Sequence, residues 1–219
     1  MKPILKTLLI LFALSLPTQR LDAQIYAKLN GLYALVGVIN PAVEFTVSPK
    51  STFQTEIVFS PWKYVNDHGV DKPMKFGILM TEYRRYFKQH NRGWYLGANM
   101  GMMGFKMSKP QFSDGWFLEN RYSKGYGMMI GICGGFEYQF ADRWLLDAYF
   151  GWSYMLSWYN GYSLDGTIDL YPHRPVQPEK PDPFNGSHEW QPNKIGVSIG
   201  FMIFNPARRG RTGSSCAVR

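Results

Sequence analysis

Eight of the charged residues in the alternating apolar segments of this chain fall on the parity that we assign to one shared face. Glu82 and Arg84 are two residues apart in the stretch TEYRRYF, so they point to the same side of an extended strand. Charges on one shared face can form an ion network or a proton- or ion-conducting path. Because an unpaired buried charge is very costly, the ion network is the preferred interpretation. The acidic members are Glu44, Glu56, Glu82, Glu137 and Asp147, and the candidate counter-charges are Lys28, Arg84 and Lys194.

Catalytic chemistry has little support in the sequence. The candidates for a converging histidine, acid and hydroxyl are Ser60, Asp67, His68 and Asp71, in and beside the third link. Acid–base and nucleophilic catalysis use these residue types, but polar residues are ordinary in any long loop. We therefore expect no catalytic residues.

A metal site is also not predicted. Asp169, His173, His188 and Glu189 fall in or beside a proline-rich segment, but no ligand spacing recommends them. No Cys-x-x-Cys pair or cysteine–histidine pair at zinc spacing is present. No cofactor is therefore expected.

The elements that position these residues are β-strands. After residue 24 the apolar residues alternate with period two, and turn residues interrupt the alternation. This pattern predicts an all-β chain with eight strands. The predicted strands cover 25–36, 41–48, 51–61, 74–87, 93–106, 125–140, 143–155 and 194–204.

The lengths of the links alternate along the chain. Every even-numbered link is a tight turn, whereas long links occur at about 62–73, 107–124 and 156–193. In an antiparallel up-and-down sheet, odd links share one end and even links share the other. Short turns at one end and long loops at the other are typical of outer-membrane barrels.

The two faces of each predicted strand differ strongly in bulk. In 125–140, one parity is aromatic or aliphatic, while the other contains glycines, Cys133 and Glu137. A glycine-rich face is poorly suited to water but fits the inside of a narrow barrel. We therefore predict an eight-stranded antiparallel up-and-down transmembrane β-barrel, with the apolar face toward lipid. An exported, lipocalin-like soluble barrel that binds an apolar ligand is the alternative.

The two ends of the chain have distinct compositions. Residues 1–23 combine Lys2 and Lys6 with an apolar run and predict a signal peptide, and the run is too short for a membrane-spanning helix. The predicted barrel domain covers 24–204, and 205–219 form an arginine-rich tail. Much of the net charge of +8 lies in these two end segments, so nucleic acid is not an expected partner. Cys133 lies within a predicted strand and Cys216 near the end of the polar tail, so we do not expect a disulfide between them.

The last predicted strand carries a candidate assembly signal. The segment KIGVSIGF contains a polar residue, a glycine and two spaced hydrophobic residues, the last of which is aromatic. These are Lys194, Gly196, Ile199 and Phe201. This pattern resembles the terminal-strand signal that the outer-membrane barrel-assembly machinery reads. That machinery and outer-membrane lipid are therefore the expected partners.

Several ordered segments resemble a known family. The run NGLYALVGVINPAVEFTVSPKSTFQTEIVFSPW is followed by EYRRYF, RGWYLGANMGMM and FEYQFADRWLLDAYFGWSY. Their order resembles the domain of unknown function 3575 family over most of residues 30 to 155. The resemblance implies an exported outer-membrane barrel of Bacteroidales-type bacteria and no known activity. We expect a structural or surface-interaction role, whose extracellular partner the sequence does not identify. A lipid-modifying barrel enzyme is a further alternative.

Overall fold

The computed structural model describes residues 24–113, 116–118, 121–164 and 188–205. The predicted signal peptide, Cys216 and all but the first residue of the predicted tail lie outside these residues. The described residues form antiparallel β structure and one short helix. The elements are β1 (Ile25–Asn30), α1 (Gly31–Leu35), β2 (Pro41–Ser48), β3 (Ser51–Phe59), β4 (Tyr64–Asp67), β5 (Val70–Tyr86), β6 (Gly93–Met107), β7 (Pro110–Ser113), β8 (Trp116–Leu118), β9 (Arg121–Gln139), β10 (Trp144–Ser163) and β11 (His188–Phe204).

Nine strands form one ring-like antiparallel sheet, in the order β3-β2-β1-β11-β10-β9-β6-β5-β4. A further pairing joins β3 to β5 along Ser51–Phe59, so eight of the nine strands close on themselves. β4 pairs only with the first residues of β5, and β7 and β8 form a separate hairpin. The eight strands of this closed ring are the eight that the alternation predicts.

Two differences from the predicted boundaries have local causes. Residues 31–36 were expected to continue the first strand, but the chain forms α1 there because the Asn30 side chain accepts hydrogen bonds from the amides of Leu32 and Tyr33. The link at 62–73 contains the β4–β5 hairpin, whose turn places His68 and Gly69 at φ of 54° and 84°. Both conformations belong to tight turns.

The other two long links are also more regular than expected. The segment 107–124 contains β7, β8 and the start of β9. In 156–193, β10 continues to Ser163 and β11 begins at His188. Five strands, β5, β6, β9, β10 and β11, are therefore much longer than β1, β2 and β3, and they extend the wall at the long-link end, which we call the loop end. The opposite end, which also holds Gln24 and Asn205, is the turn end.

The inward and outward faces of the ring have opposite character. On β9 the outward residues Ile130 and Ile132 are 62% and 70% exposed, whereas the inward Cys133 and Glu137 are buried. A Cβ atom at the inward Gly131 would lie 2.5 Å from the carbonyl oxygen of Trp152. The small inward residues thus allow neighbouring strands to approach closely.

Side chains fill the ring in layers. An apolar layer of Tyr26, Leu145 and Met202 lies at the turn end. Charged residues occupy the middle, and a methionine-rich layer of Met80, Phe105, Met129 and Met155 lies toward the loop end. Among the residues described, no helix is both long enough and apolar enough to cross a membrane.

Candidate functional site

The charged residues in the middle of the ring form a single buried group, which we call the interior charge cluster. Seven strands contribute to it, and every member is at most 4% exposed. Each predicted member therefore faces inward, as the parity of its strand indicates. The cluster comprises Lys28 (β1), Glu44 (β2), Glu56 (β3), Glu82 and Arg84 (β5), Glu137 (β9), Asp147 (β10) and Lys194 (β11).

Lys28 lies between three carboxylates. Its Nζ forms ion pairs with Glu44 and Glu137, and it lies 3.0 Å from Oδ2 of Asp147. Glu44 lies on the next strand along the chain, whereas Glu137 and Asp147 are 109 and 119 residues away in sequence. Lys28 therefore links the first strand of the ring to the far side of the sheet.

Arg84 contacts the same three carboxylates from β5. Its Nη1 donates to Oδ2 of Asp147 at 2.7 Å and to Oε1 of Glu137 at 3.0 Å, and lies 3.4 Å from Oε2 of Glu44. Its Nε donates to Glu82. The guanidinium group suits this role because its donors are fixed in one plane and can satisfy several acceptors at once.

Lys194 forms the second half of the cluster. Its Nζ lies 2.8 Å from Oε2 of Glu82 and 3.1 Å from Oε1 of Glu56. Gln54 donates to the other oxygen of Glu56 at 3.1 Å. Glu82 is thus shared between Lys194 and Arg84, and it connects the two halves of the cluster.

Neutral hydroxyl groups also donate hydrogen bonds to the acids. Tyr86 donates to Glu44 at 3.0 Å, Tyr95 donates to Asp147 at 2.9 Å, and Thr52 also donates to Glu44. The Tyr95 ring lies 4.6 Å from the Arg84 guanidinium carbon, within cation–π range. The cluster contains five carboxylates and three cations, so these donors stabilise negative charge that the cations leave unmatched.

The arrangement of acids alone is compatible with a bound cation. Carboxylate oxygens of Glu44, Glu137 and Asp147 lie within 4.8 Å of one another. However, the Lys28 ammonium and the Arg84 guanidinium already contact all three acids. The cluster therefore has the form of an internal ion network, and apolar layers lie on both sides of it along the ring.

The polar residues of the β3–β5 link hold the loop end together. Asp67 and Lys72 form a buried pair at 2.9 Å; Lys72 donates to the carbonyl of Leu118 at 2.6 Å, and Oδ2 of Asp67 accepts from the Leu118 amide at 3.1 Å. The hydrogen bond from Lys72 lowers the pKa of Asp67 below its usual value. These contacts attach the β4–β5 hairpin to β8.

The remaining candidates for catalysis do not converge on one point. Ser60 is buried and donates to the carbonyl of Met74 at 2.6 Å, and Asp71 accepts from Asn66 at 3.0 Å. The His68 ring is largely exposed, with Nε2 3.9 Å from Oδ1 of Asp67. Ser60 thus bonds to a backbone carbonyl, whereas His68 lies on the turn beside Asp67.

Two of the candidate metal ligands, His188 and Glu189, are the first residues of β11. Glu189 pairs with Lys109 at 3.0 Å, and Lys109 also donates to the Tyr159 hydroxyl at 3.4 Å. Asp169 and His173 lie outside the described residues. Glu189 thus ties the start of β11 to the residue that follows β6 by two positions.

A family model described as a protein of unknown function, DUF3575, matches residues 6–203. The chain belongs to the DUF3575 family. The match spans the eight strands of the closed ring up to the next-to-last residue of β11. It also includes the proline-rich segment, which the sequence resemblance does not cover. Comparison with curated proteins and with solved structures found no match.

The predicted assembly signal of this DUF3575 chain lies on β11, between β1 and β10. Ile199 points outward and is 44% exposed, and Phe201 shares its parity. Lys194 and Gly196 point inward, and Lys194 belongs to the interior charge cluster. The alternation that defines the signal is therefore the alternation between the two faces of the ring.

Sequence reasoning missed the hydroxyl donors and the pair at the loop end. Tyr86 follows Glu82 and Arg84 on the same parity, so the alternation could have assigned it to the interior. Tyr95 shares its parity with Gly93 and Gly97, which is the small-residue face. No pattern indicates the contact of Asp67 with Leu118, because it joins two separate links.

Cys133 is a free, buried thiol within the inward face of β9. A Cβ atom at Gly97 on the neighbouring strand would lie 2.8 Å from its sulfur. The thiol therefore fills the space that this glycine leaves inside the DUF3575 ring.

Proposed function

We propose that the ring is a transmembrane β-barrel of the outer membrane, with a structural or surface-interaction role and no catalytic activity. The observation that carries this proposal is the outward face. Large apolar side chains are exposed there on every long strand, for example Leu29, Val43, Ile57, Leu79, Met100, Ile132, Phe150 and Ile199. Soluble proteins rarely expose a continuous apolar surface of this kind.

The height of the apolar face fits a bilayer. On β9 the outward residues from Tyr126 to Phe136 are uncharged. Ten residues of strand rise about 33 Å, which a tilt of about 40° reduces to about 25 Å, the height of the apolar band of such barrels. On the described strands, Arg85 is the only charged outward residue between the positions that align with Tyr126 and those that align with Phe136. It lies near the turn end.

Aromatic residues flank the band at both ends. The set at the turn end is Phe87, Trp94, Tyr138, Phe140 and Trp144, and the set at the loop end is Phe59, Trp62, Tyr64, Tyr126 and Trp158. Amphipathic rings favour the two membrane–water interfaces. Both positions therefore support a spanning orientation.

The loop end has the features of a surface that faces the cell exterior. β9 begins at Arg121, and β10 continues to Ser163, so both strands extend beyond the aromatic level. The Asp67 and Lys109 contacts order the links around them. In the proposal, this end presents an interaction surface, and the tight turns face the periplasm.

Export and insertion belong to the same proposal. The predicted signal peptide would direct the chain across the inner membrane, and the barrel-assembly machinery would read the predicted signal at Lys194, Gly196, Ile199 and Phe201. The soluble lipocalin-like alternative needs an apolar interior for its ligand. The middle of this ring holds eight charged residues instead, which favours the membrane barrel.

The proposal is tested by the gel mobility of the expressed protein in membrane fractions, with and without boiling in detergent. A closed barrel in the membrane is expected to resist detergent and to migrate differently after boiling. Recovery in the soluble periplasmic fraction, with one mobility under both conditions, would refute the proposal and favour a soluble protein with a bound ligand.

A further inference from the structure

Three lysines form a row on the outward face at the loop end. Lys75 on β5 is the register partner of Lys106 on β6, and Lys106 is the register partner of Lys124 on β9. Their parity is that of Leu79, Met102 and Met128, which belong to the apolar face. Among the residues described, none of the three lysines forms an ion pair.

Such a row is unfavourable on its own. Residues directly opposite on neighbouring strands have Cβ atoms about 5 Å apart, and like charges at that spacing repel. Lys106 gains a cation–π contact with the Tyr122 ring at 4.9 Å, but this contact neutralises no charge. An anion that bridges the row would remove the repulsion.

A cavity lies against the lysines. Its volume is about 520 Å³, and the three lysines line it together with Gly77, Gly104 and Tyr126. A Cβ atom at Gly77 or at Gly104 would meet no atom within 4 Å, so the two glycines leave open space on the outward face. A second cavity of about 430 Å³ is lined by Lys63, Lys75 and Lys106.

An unpaired polar group lines the same cavity. Asn160 on β10 is the register partner of Lys124 and is only 8% exposed. Its amide oxygen has no hydrogen-bond partner within the described part of the chain. Buried polar groups are normally hydrogen-bonded, so this amide oxygen can accept a hydrogen bond from a group that enters the cavity.

We propose that the lysine row and its cavity bind a phosphate-bearing lipid of the outer leaflet. The lysines would hold the phosphate, Asn160 a polar group of the headgroup, and the hollow at Gly77 and Gly104 would direct the acyl chains downward. A lipid is favoured over free phosphate because the row lies at the edge of the apolar band. Directly below the glycine level are Leu79, Met102 and Met128, which an acyl chain would contact.

This inference rests on the proposed membrane barrel, and its test separates the two. The test variant is Lys75→Gln/Lys106→Gln/Lys124→Gln. The matched control, Lys50→Gln/Lys88→Gln/Arg143→Gln, removes the same charge from turn-end residues, all of which are exposed. Both are purified in detergent, checked for the mobility shift on boiling, and titrated with lipid A or with dephosphorylated lipid A under native mass spectrometry.

We expect the wild-type protein and the control to prefer the phosphorylated lipid. The preference should fall by about fivefold for each lysine removed. Without lipid, the test variant should be at least as resistant to unfolding as the wild type, because the lysines no longer repel one another. A test variant that shifts on boiling and keeps the wild-type preference overturns the lipid site alone.

Two further experiments test the lipid site without the lysine variant. Gly77→Leu/Gly104→Leu fills the hollow and retains every charge, so it should weaken lipid A binding even if the lysine variant does not fold. Inorganic phosphate is titrated separately. Displacement of lipid A by millimolar phosphate, or equal binding of both lipids by the wild-type protein, would overturn the proposal in favour of a free-anion site or a non-selective surface.

Discussion

The depth of a charge on the outward face of β9 tests the membrane barrel quantitatively. Ile132 is six residues from Tyr126 and four from Phe136, which corresponds to about 15 Å and about 10 Å along the membrane normal at a tilt of about 40°. Ile132 therefore lies close to the middle of the apolar band. Tyr138 is on the same strand and face, but beyond Phe136. The two side chains are similarly exposed, at 70% and 59%.

Arginine at these two sites should have different costs. In lipid, Ile132→Arg is expected to destabilise the folded protein by about 2–4 kcal/mol and Tyr138→Arg by about 0–1 kcal/mol. In water the two exposed sites should differ little, since surface substitutions usually change stability by less than about 0.5 kcal/mol.

The assay is reversible unfolding in lipid vesicles with denaturant, followed by tryptophan fluorescence and by the gel shift. Equal free energies of unfolding for the two variants would refute the assignment of this face to lipid. Ile132→Leu serves as the control, because it preserves the apolar surface.

Three further predictions concern the interior and the loop end. Arg84→Met leaves its three acidic partners from other strands short of a cation, so we expect a loss of about 3–5 kcal/mol in the free energy of unfolding. Gly131→Ala should cost about 1–3 kcal/mol or prevent refolding, because its Cβ would lie 2.5 Å from a backbone oxygen. The outward Gly134→Ala should be tolerated in the same refolding assay, because its nearest contact would be 3.7 Å away. The lowered pKa of Asp67 means that its pair with Lys72 stabilises the loop end above about pH 4 and is lost as the pH falls further. The protection of the β8 amides relative to their intrinsic exchange rates should therefore fall at low pH, and Asp67→Asn should remove this pH dependence.

The order and facing of the long strands could be predicted because both depend on local alternation. In the predicted strand 125–140, the size of each residue indicates whether it faces inward or outward. The structure places β9 at Arg121–Gln139, which includes nearly all of that strand. The ends of the elements were harder to predict. At Asn30 a side-chain cap starts a helix within an apolar run, and the 3.6- and 2-residue periods are not distinguishable over so few residues.

The membership of the interior charge cluster was also predictable, whereas its pairing was not. Parity assigns Glu44, Glu137 and Asp147 to the interior without knowledge of their neighbours. The contact of Lys28 with Glu137 spans 109 residues and depends on how the strands are staggered around the ring. A single strand contains no information about that stagger.

The interior charge cluster has a consequence for the fidelity of assembly. The strands β1 to β5 contribute Lys28, Arg84 and three acids, and the strands β6 to β11 contribute Lys194 and two acids. Glu137 and Asp147 are neutralised by cations of the first half, while Glu56 pairs with Lys194 of the second half. Neither half can therefore bury its charges alone, and a one-residue slip between them would turn acids toward the outside. Only closure in the correct strand order brings each buried carboxylate of the cluster into contact with a cation. A ring closed in another order would bury charges without partners and would therefore be less stable.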